Sequence, residues 1–111
     1  MALEGGKVLR VYIGEADHWK GKPLHQAIVE LLRAEGLTGA TVLRGVEGFG
    51  ANSRLHTAHL LRLSEDLPMV VETVDRAEKI AAVLPRLKEM VRQGLITLAD
   101  VELVHDGEGG G

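Results

Sequence analysis

Pro23-Leu24-His25-Gln26-Ala27-Ile28-Val29-Glu30-Leu31-Leu32-Arg33-Ala34-Glu35-Gly36 is the segment on which the fold turns. Leu24, Ala27, Ile28, Leu31 and Leu32 recur at helical spacing, so they form one apolar stripe. Pro23 suits the first turn, where a missing N–H costs nothing. Gly36 reads as the left-handed residue that ends the helix. A helix with one apolar stripe must bury it against another layer. The flanking segments decide what that layer is.

Upstream, residues 7–14 alternate as a strand. Leu9, Val11 and Ile13 point to one face, and Arg10 and Tyr12 to the other. Downstream, residues 39–47 read as a second strand through Thr41, Val42, Leu43 and Val46. Gly48, Gly50 and Asn52 then mark a loop, and residues 55–63 fit either a strand or a loop arm. Residues 67–74 read as a third strand. Asp75 with Glu78 resembles a capping box, ahead of a second helix through Ile80, Val83, Leu84, Leu87 and Val91. Pro85 lies inside that pattern and predicts a kink or a break. Residues 100–105 form a short last strand.

The order βαββαβ predicts an α+β, ferredoxin-like sandwich: a four-stranded antiparallel sheet with two helices on one face. Residues 1–6 are expected to be a flexible N-terminus, 7–105 the domain, and 106–111 a disordered Gly-rich tail. The other sheet face is left uncovered. Val42 or Leu43, and Val70 or Val71, must lie on it, because neighbours along a strand alternate faces. An open apolar face is unusual on a soluble monomer. Another subunit is expected to cover it.

Composition narrows the function classes. The 111 residues fit one domain. A formal net charge of -3 argues against a nucleic-acid binder. The absence of cysteine removes disulfides and thiolate metal sites. No apolar run approaches a membrane span, and residues 1–7 lack the apolar stretch of a signal peptide. A cytoplasmic protein with no direct membrane insertion is expected.

Several motifs resemble a known family. Glu47-Gly48-Phe49-Gly50, directly after the second strand, is similar to the base of the T-loop in PII signal-transduction proteins. His56-Thr57, Leu67-Pro68 and Gly94 also fall where PII proteins carry comparable features. The chain more closely resembles the PII-like DUF one-ninety family. That resemblance rests on Leu9-Arg10-Val11-Tyr12-Ile13-Gly14-Glu15, Trp19-Lys20-Gly21-Lys22-Pro23-Leu24, Gly39-Ala40-Thr41-Val42, Gly45-Val46-Glu47-Gly48-Phe49-Gly50 and Leu63-Ser64-Glu65-Asp66-Leu67-Pro68. It covers roughly residues 7–104.

The resemblance implies a homotrimer with its sheets facing inward and nucleotide clefts between subunits. It also implies a T-loop that regulates a transporter or an enzyme, with no catalysis of its own. The PII phosphate loop is rich in Gly and Lys. Here Gln93-Gly94-Leu95-Ile96-Thr97-Leu98-Ala99-Asp100 has one Gly, no Lys and an acid. That departure points to AMP or ADP rather than ATP. The alternative is a structural or metal-linked trimer like the copper-tolerance protein CutA, which shares the fold.

The expected nucleotide-binding residues are Tyr12, Trp19, Lys20, Lys22, Arg44, Gly48, Phe49, Gly50 and Thr97. Loop N–H groups can hold an anion, an indole can stack on a base, and Lys or Arg can meet phosphate. Equally, Trp19 can pack over a helix end while the lysines stay solvated. Arg54 and Arg62 are further phosphate candidates beside the loop. His56 and His59 do not share a strand face, so they make no metal pair, and His18 with His25 fares no better. Ser53 and Ser64 lack a nucleophile-elbow context. No catalytic residue, metal site or catalytic cofactor is expected.

Overall fold

The computed structural model describes residues 3–49, 56–57 and 66–105. Strand β1 (Glu4–Gly14) leads to a short hairpin, β2 (His18–Trp19) and β3 (Lys22–Pro23), and then to helix α1 (Leu24–Ala34). Strands β4 (Thr41–Arg44), β5 (Glu47–Gly48), β6 (His56–Thr57) and β7 (Pro68–Asp75) follow. Helix α2 (Ala77–Met90) and strand β8 (Leu95–Leu103) complete the order. The main sheet is four-stranded and antiparallel, ordered β4-β7-β1-β8. This is the expected α+β sandwich, with both helices on one face.

The stripe of α1 buries Leu24, Ala27, Ile28, Leu31 and Leu32, as its spacing demands. The buried side of α2 carries Ile80, Val83, Leu87 and Met90. Both helices close over Leu9, Val11 and Ile13 of β1 and over Met69 and Val71 of β7. Fully burying one such side chain contributes about 1.5–3 kcal/mol. Thr73 also lies on this buried side, 1% exposed, and its hydroxyl donates to the Gly39 carbonyl at 2.5 Å. Among the described residues no buried side-chain polar atom lacks a partner.

Several local expectations need correction. Asp75 does not cap α2. It is the last residue of β7, paired with Lys7 and 4% exposed. Its carboxylate accepts the Arg76 N–H at 2.8 Å and the Thr38 N–H at 3.2 Å. The sheet end thus claims the side chain, and the N-cap passes to Arg76, which makes no side-chain cap bond. Helix α2 is also not broken at Pro85, which the helix holds in its interior on an exposed position. Packing by Val83 and Leu87 on either side, both 0% exposed, outweighs one lost backbone hydrogen bond.

The strands run longer than expected at both ends of the chain. Strand β1 begins at Glu4, inside the segment read as a flexible terminus, because Glu4, Gly5 and Gly6 pair with Leu103, Glu102 and Val101. Strand β8 begins at Leu95, so Thr97 belongs to a ladder rather than a loop. Residues 106–111 and most of 50–65 lie outside the described residues. With them lie Gly50, Ser53, Arg54, His59, Arg62 and Ser64.

Register settles the faces. Val42 pairs with Val71, which is 1% exposed, so both lie on the helix side. Leu43 and Val70 face the open side. There, Leu43, Val70, Tyr12 and Leu95 form one apolar row across all four strands. Leu43, Tyr12 and Leu95 are 52%, 38% and 56% exposed. The next row, Thr41, Glu72, Arg10 and Thr97, is polar, and Arg10 Nε donates to Glu72 Oε2 at 2.7 Å. Val74, Val8 and Ala99 make the row beyond it apolar again.

Candidate functional site

Gly14 pairs with Pro68, Arg44 with Met69, and Tyr12 with Leu95. Hence the last residues of β1 and β4 and the first of β7 and β8 share one end of the sheet. Every described candidate residue except Thr97 lies at that end or in the hairpin beside it. The structure divides them into three groups.

The first group sits on the β4 edge. The Gly45 N–H donates to the Pro68 carbonyl at 2.7 Å, which turns the chain out of β4. Glu47 then pairs with Thr57, and Gly48 with His56, so a two-stranded stem starts where the sequence showed the loop base. Phe49 is 76% exposed just beyond it. Arg44 Nη2 donates to Glu15 Oε1 at 3.0 Å. Glu15 is itself anchored by its N–H on the Leu67 carbonyl at 2.7 Å. Such an exposed pair is worth about 0–1 kcal/mol, so a phosphate could displace Glu15 cheaply.

The second group is on the open face: Tyr12 in the apolar row and Thr97 in the polar one. Strand β7 separates Tyr12 of β1 from the β4 edge, and β7 and β1 together separate Thr97 of β8 from it.

The third group lies in the β2–β3 hairpin. Trp19 is half-buried against the core cluster, so its packing role is real. Lys20 Nζ lies 5.3 Å from the centre of the Trp19 ring. Lys22 is spoken for: its ammonium donates to Glu30 Oε1 at 2.6 Å. That bond, with a second from Gln26, holds the Glu30 carboxyl below the ordinary carboxylate range.

Trp19 and Lys20 line a cleft of about 490 Å³ with Asp17, His18, Leu24, Met90, Arg92 and Gln93. None of Tyr12, Arg44, Gly48, Phe49 and Thr97 is among its walls. The structure therefore does not bring the hairpin residues together with the β4 edge. Arg92 and Gln93 were missed because only tertiary packing carries the α2–β8 connection to the hairpin. Among the described residues, no group of three or more His, Asp or Glu side chains is placed to hold a metal ion. No described helix is long and apolar enough to cross a membrane.

Comparison with known proteins agrees with the fold. Solved structures of similar shape include CPII from Thiomonas intermedia K12, a nitrogen regulatory PII-like protein bound to ADP, AMP and bicarbonate. It superposes with a TM-score of 0.72 at 18% identity, covering 94% of this chain and 92% of that one. A protein from Thermus thermophilus, a putative PII-like signaling protein by its description, gives 0.68 at 19% identity, covering 94% of each chain. Among curated relatives, a UPF0166 protein from Aquifex aeolicus is 38% identical over 99 residues, 89% of this chain and 93% of its own length. A UPF0166 protein from Methanocaldococcus jannaschii is 38% identical over 103 residues, 92% and 94% of the two lengths. The profile of DUF190, described as uncharacterized ACR, matches residues 6–103. The chain belongs to the DUF190 family, with the fold of the PII-like proteins.

Proposed function

We propose that the chain is a PII-like signalling protein that assembles as a homotrimer and binds AMP or ADP at the seams between copies. The observation that carries this reading is the apolar row Leu43, Val70, Tyr12 and Leu95, which crosses all four strands of the open face with Leu43, Tyr12 and Leu95 exposed. A second copy of the face covers it, and three copies close a ring. Such a ring sets the β4 edge of one copy beside the β8 edge of the next. The groups that one chain holds apart, Arg44, Gly48 and Phe49 on one edge and Tyr12 and Thr97 near the other, then meet across a seam. Gly50 follows Phe49 in the same loop base. Nucleotide-bound CPII, of the same fold, supports the choice of ligand. The short connection 91–94 offers a single cation, Arg92, which suits one or two phosphates better than three.

The loop leaving Gly48 and Phe49 is then the element that reports nucleotide occupancy to a transporter or enzyme target in the cytoplasm. The protein acts as a regulator rather than a catalyst. Sedimentation equilibrium at micromolar concentration tests the assembly, and a monomer there refutes it. Calorimetry with AMP, ADP and ATP tests the ligand, on the wild type and on Gly50→Val. AMP or ADP should bind, and the variant should lose roughly ten- to hundredfold in affinity. Much tighter ATP binding overturns the reading of the 91–94 connection. An oligomer that binds none of the three favours the CutA-like structural trimer.

A further inference from the structure

Residues 66–68, through which the chain enters β7, hold two separate segments at the end of the sheet where the candidate residues gather. The Asp66 carboxylate accepts the Ala16 N–H at 3.0 Å, and the Leu67 carbonyl accepts the Glu15 N–H at 2.7 Å. The Pro68 carbonyl accepts the Gly45 N–H at 2.7 Å. One short arm thus ties the turn after β1 to the exit from β4. Leu67 is 3% exposed, so burial anchors the arm itself.

Three glycines face this arm. A Cβ on Gly14 would stand 2.5 Å from Asp66 Oδ1, one on Gly45 2.9 Å from Pro68 Cγ, and one on Gly48 3.1 Å from the same Cγ. None of the three has a positive φ. Glycine therefore supplies room there, so that another group can approach the backbone closely. Proline suits position 68 for the complementary reason. It opens β7, a place in a strand that tolerates a missing N–H. Its ring fixes its own φ and holds residue 67 extended. Gly45 and Gly48 thus rest against a rigid ring rather than a mobile side chain.

The segments held in this way carry groups of the proposed seam. Arg44 directly precedes Gly45, and its guanidinium donates to Glu15 at 3.0 Å. Its place is therefore referred to the arm twice, once through its own strand and once through Glu15. Gly48 and Phe49 follow on the stem. Pairing of β7 with β1 and β4 accounts for the backbone bonds. It does not account for a carboxylate on the Ala16 N–H or a proline ring beneath two glycines.

We propose that Asp66 and Pro68 are positioning residues for the nucleotide seam. They touch no ligand. They join the turn 14–17, the exit from β4 and the stem β5–β6 into one unit, and so set the place of Arg44, Gly48 and Phe49. The effect on ligand rests on the seam reading; the unit rests on the chain's own geometry.

Amide exchange followed by NMR reads the unit without ligand. Asp66→Ala removes the acceptor of the Ala16 N–H. Exchange at Gly45 should rise roughly tenfold together with that at Ala16. The Val91 amide, bonded to the Leu87 carbonyl at the end of α2, should stay unchanged. Asp66→Asn keeps a carbonyl oxygen for the same bond and should stay near the wild type. Gly48→Ala should also speed exchange at Gly45. Adding Pro68→Ala should restore it, because the next atom of residue 68, its Cβ, would lie 3.8 Å from the new methyl. Calorimetry with AMP and ADP should follow the same order: roughly tenfold weaker binding in Asp66→Ala and Gly48→Ala, and recovery in Asp66→Asn and in the double variant. A methyl that blocked the ligand directly would not be relieved by a change at residue 68. Faster exchange at Ala16 with Gly45 unmoved overturns the inference, and so does a double variant no better than Gly48→Ala. A wild type that binds neither nucleotide, with the exchange pattern as stated, refutes only the nucleotide reading and leaves the unit standing.

Discussion

Arg10→Met tests whether the open face is covered. Arg10 and Glu72 sit opposite each other at the middle of that face, bonded at 2.7 Å, with side chains 41% and 29% exposed in the single chain. If the face meets solvent, the pair is an ordinary surface ion pair worth about 0–1 kcal/mol. Its loss would then fall within the usual range of surface substitutions. If the face is covered by other copies, methionine keeps the packing volume but leaves Glu72 as an uncompensated carboxylate inside an interface. That situation costs about 3–5 kcal/mol, or more than a hundredfold in the equilibrium. Every copy carries the same pair, so each subunit incurs the loss. Urea unfolding followed by circular dichroism, at two protein concentrations, measures it. The expected result is a loss of several kcal/mol that shrinks at higher concentration, with the oligomer dissociating in sedimentation. Arg10→Met with Glu72→Leu should recover most of the loss, because an apolar pair in an interface is neutral or better. A single variant that loses less than about 1 kcal/mol with its oligomer intact refutes the covered face.

Gly94→Ala should destabilise the chain by more than about 1–3 kcal/mol, because φ there is 154° and a Cβ would stand 2.6 Å from the Tyr12 carbonyl oxygen. Thermal unfolding at fixed protein concentration checks it, and an unchanged melting temperature contradicts it. Asp100 should titrate below the ordinary carboxylate range, because the Lys7 ammonium donates to it. A depressed native value means that its contribution to stability is present above the unfolded pKa and is lost as pH falls through the folded one. Carboxyl-carbon NMR should show the titration return to the ordinary value in Lys7→Met. An unmoved titration removes Lys7 as the cause.

Elements with a strong local period were legible in the sequence. Helix α1 falls where its stripe places it, and the alternation of Leu9, Val11 and Ile13 gave the buried face of β1 correctly. What escaped the reading was set by distant partners. Leu95 to Ala99 carry no clear alternation, yet they form a strand because Tyr12 to Val8 offer a free edge. Asp75 looked like a cap from its neighbours, and the Thr38 loop 37 residues away decided otherwise. At the site, the loop base at Gly48 and Phe49 was legible as a motif. The cleft was not, since Arg92 reaches the hairpin only through the packing of α2.

The pairing of β1 with β8 joins the two ends of the described chain, with Glu4 opposite Leu103. A ladder closing so long a loop is formed late and slowly, because the closure entropy precedes the gain from contact. During synthesis β1 emerges early and then waits for both of its sheet neighbours, β7 and β8, the last strands of the order. Until they arrive, its apolar face and both backbone edges are open to other chains. A ribosome stalled before residue 95 therefore holds an adhesive intermediate, and folding of the whole sheet is timed to the completion of its final strand.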